Sequence, residues 1–132
     1  MKRVSLFIVA LGFVLSALAQ NTGRIDGLVT DTSGVGLKGA KIDILDASGA
    51  LTGRDITTNT NGSYALINLA PGRYDLKYSY SGCCTIIVHG VIVTTDNETE
   101  VNLQLHHCSG QEIETITYER PFQNRMPYYF KK

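Results

Sequence analysis

Residues 71–80 read PGRYDLKYSY, and their alternation decides the fold class. Apolar or aromatic side chains occupy positions 74, 76, 78 and 80, whereas polar ones occupy positions 75, 77 and 79. A period of two places the first set on one face of an extended strand. An amphipathic helix would need apolar residues three and four positions apart. The stretch therefore predicts a β-strand with one buried face, entered through a Pro-Gly turn.

Similar short stretches occur on both sides of this strand. Further strands are predicted over residues 25–30, 41–44, 52–58, 63–66, 85–93 and 100–105. Turn residues separate them, and Asn61-Gly62 predicts a two-residue hairpin turn because both residues tolerate a positive φ. Gly90 predicts a bulge or bend inside its strand. About seven short strands at this spacing favour an all-β sandwich over a parallel α/β sheet.

The start of the chain has the features of an export signal. Lys2 and Arg3 precede an apolar run over residues 6–15, and small residues at 17 and 19 form a cleavage site before Gln20. The apolar run is shorter than the roughly 20 residues that span a membrane. We expect a cleaved signal-peptide helix over residues 1–19 and no transmembrane segment afterwards.

Composition limits the function of the mature chain. The remaining 113 residues suffice for one domain with a modest core. Cleavage leaves 10 basic against 12 acidic residues, a net charge of −2. This balance lacks the basic face that nucleic acid or an anionic membrane surface would require. We expect neither of these partners.

Four segments in order resemble a known family: 27–31 (GLVTD), 36–42 (GLKGAKI), 58–66 (TNTNGSYAL) and 69–76 (LAPGRYDL). Together they resemble the carboxypeptidase regulatory-like, or transthyretin-like, domain found at the N-terminus of Bacteroidetes TonB-dependent receptors. The resemblance implies a seven-stranded Greek-key sandwich over residues 20–106, of a fold shared with starch-binding-like modules. It implies no catalytic residue and no cofactor. The chain departs from the family at Gly82-Cys83-Cys84, where an aromatic residue usually follows the glycine.

The three cysteines are expected to lie at one end of the sandwich. If the last two strands form a hairpin turning at residues 96–97, Cys108 falls opposite Thr85 and beside Cys84. After export, the first expectation is a disulfide from Cys108 to Cys84 or Cys83, which leaves one thiol over. Closure of a loop of about 25 residues would contribute roughly 3 kcal/mol of stability.

The same end also holds ligand types for zinc or copper. The candidates are Cys83, Cys84, His106 and Cys108. Only one of His106 and His107 could join a shared site, because neighbours on a strand point to opposite faces. We favour the disulfide and expect no bound metal. Cys-His catalysis would also need an orienting group and an oxyanion site, neither of which the sequence shows. We therefore expect no enzyme.

Residues 107–132 form a C-terminal tail in which Glu114, Thr115, Ile116, Thr117 and Tyr118 resemble a TonB box. Such a box adds a strand to the sheet of TonB, so the resemblance implies docking to TonB or another envelope protein by strand addition. It also implies the periplasm, or the periplasmic face of the outer membrane, as location. The alternatives are a flexible tail or an extra edge strand.

Three functional hypotheses follow. The first is a non-enzymatic envelope module that binds a protein partner through its loops, its edge or its tail. The second is a carbohydrate-binding module, which must rely on the tyrosines not expected to face the core, namely Tyr64, Tyr118, Tyr128 and Tyr129. The third is a truncated N-terminal fragment of a TonB-dependent transporter.

Overall fold

The computed structural model describes residues 21–110 and 112–118, so the expected signal peptide, Tyr128 and Tyr129 lie outside the described residues. The described part contains nine strands and no helix that could cross a membrane. The strands are β1 (Gly23–Thr30), β2 (Lys41–Leu45), β3 (Leu51–Thr57), β4 (Ser63–Leu69), β5 (Gly72–Ser79), β6 (Thr85–Val93), β7 (Glu98–Glu100), β8 (Leu103–Gln104) and β9 (Ile113–Thr117).

The strands form two sheets. In the first sheet, β1 pairs with β4 in antiparallel fashion on one side and with the short β7 and β8 in parallel fashion on the other. The second sheet has the order β3-β2-β5-β6-β9. All its pairs are antiparallel except β6 with β9, which is parallel. The predicted all-β sandwich is confirmed.

The core lies between the two sheets and follows the predicted alternation. Leu76 and Tyr78 are fully buried, while Tyr74 and Tyr80 pack against the core from its margin. Every strand except β3, β7 and β9 contributes buried apolar side chains. The cluster consists of Ile25, Val29, Ala40, Ile42, Ile44, Tyr64, Leu66, Leu69, Leu76, Tyr78, Ile86, Val88, Val91, Val93, Val101, Leu103 and Leu105.

Tyr64 was expected at the surface and is instead buried. Its ring packs edge-on against Tyr78 with centroids 5.9 Å apart. Its hydroxyl lies 2.7 Å from the Tyr78 hydroxyl and donates a 2.6 Å hydrogen bond to the carbonyl oxygen of Val101. The pair places two phenols inside the core with their polar atoms satisfied. The carbohydrate hypothesis thereby loses one of its four tyrosines.

The predicted hairpin at residues 96–97 is wrong. After β6 the chain crosses to the other sheet, where β7 and β8 run parallel to β1. Asp96 has a φ of 55°, and backbone hydrogen bonds join it to Thr22 and Asn97 to Arg24. Alternation puts Val101 in the core but does not say which of two facing sheets carries it. The predicted strand over 100–105 is thus divided between β7 and β8.

The two-residue hairpin at Asn61-Gly62 is also wrong. Of these two residues only Gly62 has a positive φ, 82°, and the turn joins β3 of one sheet to β4 of the other. The Asn59 side chain accepts hydrogen bonds from the N–H groups of Asn61 and Ser63. The carbonyl of Gly62 accepts a 2.8 Å hydrogen bond from Val29, which ties this turn to β1.

Candidate functional site

The structure joins Cys84 and Cys108 by a disulfide with a Cα–Cα distance of 5.0 Å. Cys84 directly precedes β6, and Cys108 lies between β8 and β9. Backbone hydrogen bonds align the two segments, from Cys84 N–H to His106 at 3.0 Å and from Cys108 N–H to Gly82 at 3.3 Å. The disulfide therefore connects the start of β6 to the segment that leads into β9.

Cys83 is not part of the disulfide. It pairs through its backbone with His107, and its partly buried side chain packs against the margin of the core. Burial, helped by the negative charge of Asp31, raises the pKa of the Cys83 thiol. A protonated and partly buried thiol is a weak nucleophile. We call Cys83, Cys84, His106, His107 and Cys108 the cysteine end.

Only three of the candidate ligands are brought together. The sulfur atoms of Cys84 and Cys108 and one imidazole nitrogen of His106 lie within 4.8 Å of one another. Nε2 of His106 lies 3.0 Å from a carboxylate oxygen of Glu114, and a carboxylate oxygen of Glu112 lies 3.5 Å from the sulfur of Cys108. Two acidic residues thus approach the cluster from the segment that carries β9.

The segment that resembles a TonB box is placed on the sheet as β9. Its register with β6 pairs Thr85 with Ile113 and His89 with Thr117. Ile116 and Tyr118 pack against the core from its margin, whereas Ile113 is 61% exposed. Of the two alternatives left open for this segment, the structure has the extra edge strand.

The hydrogen bonds of β9 decide which backbone groups face outward. Thr85 donates to the carbonyl of Glu112 at 3.1 Å, and Tyr118 donates to the carbonyl of His89 at 2.7 Å. In a parallel ladder only alternate residues of a strand bond to a given neighbour. The even-numbered residues of β9 therefore face β6, and Ile113, Thr115 and Thr117 direct their N–H and C=O groups outward. No other strand in the described part of the chain pairs with this outer edge.

A polar groove of about 320 Å³ lies nearby and was missed at the sequence level. Nδ1 of His89 lies 2.8 Å from one carboxylate oxygen of Asp75, and the N–H of Gly90 donates to the other at 3.0 Å. Burial works to raise the pKa of Asp75, but these two contacts and the positive charge of Arg73 together outweigh it and lower that pKa. The residue that could have indicated this groove from the sequence is Gly90. Its predicted bulge is present, with a φ of 78° and a register shift in the β5–β6 pairing.

Among the residues that the structure describes, this groove does not assemble a catalytic triad. Its lining residues comprise Leu45, Asp46, Ala47, Arg73, Asp75 and His89. An aspartate and a histidine are therefore present without a serine, threonine or cysteine nucleophile in the same lining.

A wider depression of about 760 Å³ lies beside β1. The Arg24 guanidinium contacts carboxylate oxygens of Asp26 at 2.6 Å and of Glu98 at 3.1 Å. A hydrogen bond with Asp26 raises the pKa of Glu98. These contacts join β7 to β1. The lining sets one guanidinium, Arg24, against the carboxyl groups of Asp26, Glu98 and Glu100.

Comparison with known proteins identifies the domain. Residues 24–106 match the model of the carboxypeptidase regulatory-like domain family. No curated protein matches the chain.

Solved structures share the fold at low identity. GBS52, the minor pilin of Streptococcus agalactiae, has a TM-score of 0.54 at 17% identity over 69% of this chain and 47% of that chain. A type II cohesin-X-dockerin complex from Acetivibrio cellulolyticus has a TM-score of 0.53 at 16% identity over 64% and 58%. The Bacillus anthracis TIE protein has a TM-score of 0.52 at 19% identity over 66% and 17%. This chain thus spans less than two thirds of each of these proteins.

Proposed function

Because this chain belongs to the carboxypeptidase regulatory-like domain family, we propose that it is a non-catalytic interaction module of the cell envelope that binds a protein partner by strand addition to the outer edge of β9. Export to the periplasm is part of the proposal, and the Cys84–Cys108 disulfide supports it because such bonds persist in oxidising compartments.

One observation carries the proposal. Within residues 21–110 and 112–118, no strand pairs with the outward N–H and C=O groups of Ile113, Thr115 and Thr117, on a strand that is itself held to the sheet by β6. An extended segment of a partner can pair with such an edge by backbone hydrogen bonds, and pockets for its side chains add specificity. The opposite edge of the sheet, β3, has Gly53 at a φ of 84°, which distorts it as a pairing surface.

The partner to test first is the C-terminal domain of TonB, because residues 114–118 resemble a TonB box. In the structure this segment occupies the edge of the sheet already. We therefore propose that it stays on β6 and that the partner pairs with its other side. This mode differs from the capture of a free tail, and it makes the outward N–H groups the decisive contacts.

The experiment measures binding of the TonB C-terminal domain to the full mature chain by calorimetry. Thr115→Pro removes an outward N–H while the N–H groups that face β6 stay in place, which an edge strand tolerates. We expect this variant to bind about tenfold more weakly or worse, a loss of at least about 1.4 kcal/mol. Thr115→Ala keeps the N–H and should bind like the wild type.

Two results would contradict the proposal, one on the docking site and one on the identity of the partner. Equal binding by Thr115→Pro and the wild type would exclude the outer edge of β9 as the docking site. Absence of binding by the wild type, with the fold intact by circular dichroism, would exclude TonB as the partner.

A further inference from the structure

The cysteine end contains potential metal ligands in addition to the two sulfur atoms of the disulfide. Ligand atoms of Cys84, His106 and Cys108 lie within 4.8 Å of one another. In a tetrahedral zinc site with two sulfur ligands and one nitrogen ligand, the ligand atoms lie about 3.5 to 3.8 Å apart. The two sulfur atoms are bonded in the structure. After reduction, side-chain rotations that move them apart would bring the three atoms around one ion.

The backbone holds this arrangement independently of the S–S bond. The hydrogen bonds from Cys84 to His106 and from Cys108 to Gly82 join the two segments on either side of the disulfide. Breaking the S–S bond therefore leaves both thiols close to the imidazole.

Two carboxylates complete the surroundings. Glu114 lies 3.0 Å from Nε2 of His106, and a carboxylate on one ring nitrogen orients the imidazole and leaves the other nitrogen for a metal. Glu112 lies 3.5 Å from the sulfur of Cys108, close enough to supply a fourth ligand. Cys84 is fully buried, so one side of the site is shielded from water.

We propose that the reduced chain binds one Zn²⁺-class ion through Cys84, His106 and Cys108, with Glu112 as fourth ligand and Glu114 as a positioning residue. The reductant is an external dithiol, which supplies two electrons and two protons. The S–S bond between Cys84 and Cys108 breaks, each of their sulfur atoms becomes a thiol, and the external dithiol is oxidised to a disulfide. Binding of the ion then releases both thiol protons. The disulfide and the metal site are mutually exclusive forms of the same link between β6 and the segment before β9.

This inference stands apart from the proposed docking function, and its test uses a spectroscopic readout. The full mature chain is reduced with a phosphine, which supplies no competing thiolate, and titrated with Co²⁺. We expect one Co²⁺ per chain with a thiolate-to-cobalt charge-transfer band, and displacement of the Co²⁺ by Zn²⁺.

Substitutions distinguish the proposed metal ligands from residues that only lie near them. Cys84→Ser and Cys108→Ser should lose the band, and Glu114→Gln should bind about 10- to 100-fold more weakly. Cys83→Ser is the matched control and should bind like the wild type. Every protein is reduced in this assay, so loss of the disulfide does not distinguish the variants, and circular dichroism checks their folding.

Absence of a one-to-one Co²⁺ complex would overturn the proposal. It would also be overturned by a band that persists in folded Cys84→Ser or that disappears in Cys83→Ser.

Discussion

Two regions of this domain are held together by different means. Around β1, Gly27, Gly36 and Gly62 let backbone segments approach so closely that a Cβ atom on any of them would overlap another backbone segment. We call this the glycine-packed region. The cysteine end is instead joined by one covalent bond, together with two backbone hydrogen bonds and the exposed contact of His106 with Glu114. Backbone packing is present under all conditions, whereas a disulfide depends on its redox environment, so the state of the cysteine end can change while the sandwich persists.

The largest effect is expected from a substitution in the glycine-packed region. A Cβ at Gly27 would overlap the carbonyl of Val101, where the chain passes between β7 and β8. We expect Gly27→Val to lower the free energy of unfolding by about 4 kcal/mol or more, measured by urea denaturation. Gly110 lies two positions after Cys108, and among the described residues no atom lies within 4 Å of a Cβ added there. Gly110→Val should change stability by less than about 0.5 kcal/mol, and equal costs at the two sites would contradict the comparison.

Removal of the disulfide is expected to cost less. Cys84 and Cys108 are 24 positions apart, and loss of the bond should lower stability by about 3 kcal/mol on the chain-entropy model. The measurement compares oxidised wild type with Cys108→Ser by thermal or urea unfolding. Cys83→Ser should have a small effect, because Cys83 lies outside the bond. If the difference between Cys108→Ser and the wild type persisted under reducing conditions, the effect would not come from the disulfide.

A smaller effect is expected inside the core, at the Tyr64–Tyr78 pair. Tyr78→Phe removes the hydroxyl that bonds to the Tyr64 hydroxyl, at an expected cost of about 1 kcal/mol. Tyr74→Phe is a suitable control, because its hydroxyl bonds to the exposed Ala70 carbonyl at the margin. A cost for Tyr74→Phe as large as that for Tyr78→Phe would show that burial of the hydroxyl is unimportant.

The same pair predicts a loss of stability in alkali. Burial raises the pKa of both Tyr64 and Tyr78 above the ordinary value of 10.0. The unfolded chain therefore releases these phenolic protons at a lower pH than the native chain does. Their stabilisation is complete below the unfolded pKa and is lost as the pH rises through the folded pKa. Urea midpoints should fall as the pH increases beyond about 10, and they should fall less steeply in Tyr78→Phe.

The smallest effect concerns the exposed ion pair of the cysteine end. His106 and Glu114 side chains are 40% and 45% exposed, so their coupling energy should be only about 0.2 to 1 kcal/mol. A double-mutant cycle with His106→Ala and Glu114→Ala measures it in the oxidised protein. A coupling above about 2 kcal/mol would mean that side-chain contacts hold β9 more strongly than the exposure of this pair implies.

The sequence predicts the sandwich well where neighbouring residues carry the information. The alternation over residues 74–80 places Leu76 and Tyr78 in the core, and the ordered family segments contain the three closely packed glycines. Gly90 signals its bulge because no side chain opposes a positive φ there.

Long-range pairing is predicted less well. The parallel pairing of β7 and β8 with β1 depends on which sheet accepts residues 98–104, and alternation is the same for either choice. The position of β9 depends on parallel contacts with β6, where no turn sets the register. The buried hydroxyl of Tyr64 is satisfied by a hydrogen bond to Val101 across 37 positions, a contact that the local sequence does not reveal. The contact of Asp75 with His89 likewise requires the register of β5 against β6.

The most direct test of the docking edge is residue-resolved amide hydrogen exchange of the mature chain, alone and saturated with the TonB C-terminal domain. In the free chain, the amides of Glu114, Ile116 and Tyr118 should exchange slowly, and those of Ile113, Thr115 and Thr117 should exchange fast. Binding should slow the second set specifically. Uniform exchange along β9 in the free chain, or odd-numbered amides that stay fast in the complex, would contradict docking at the outer edge of β9.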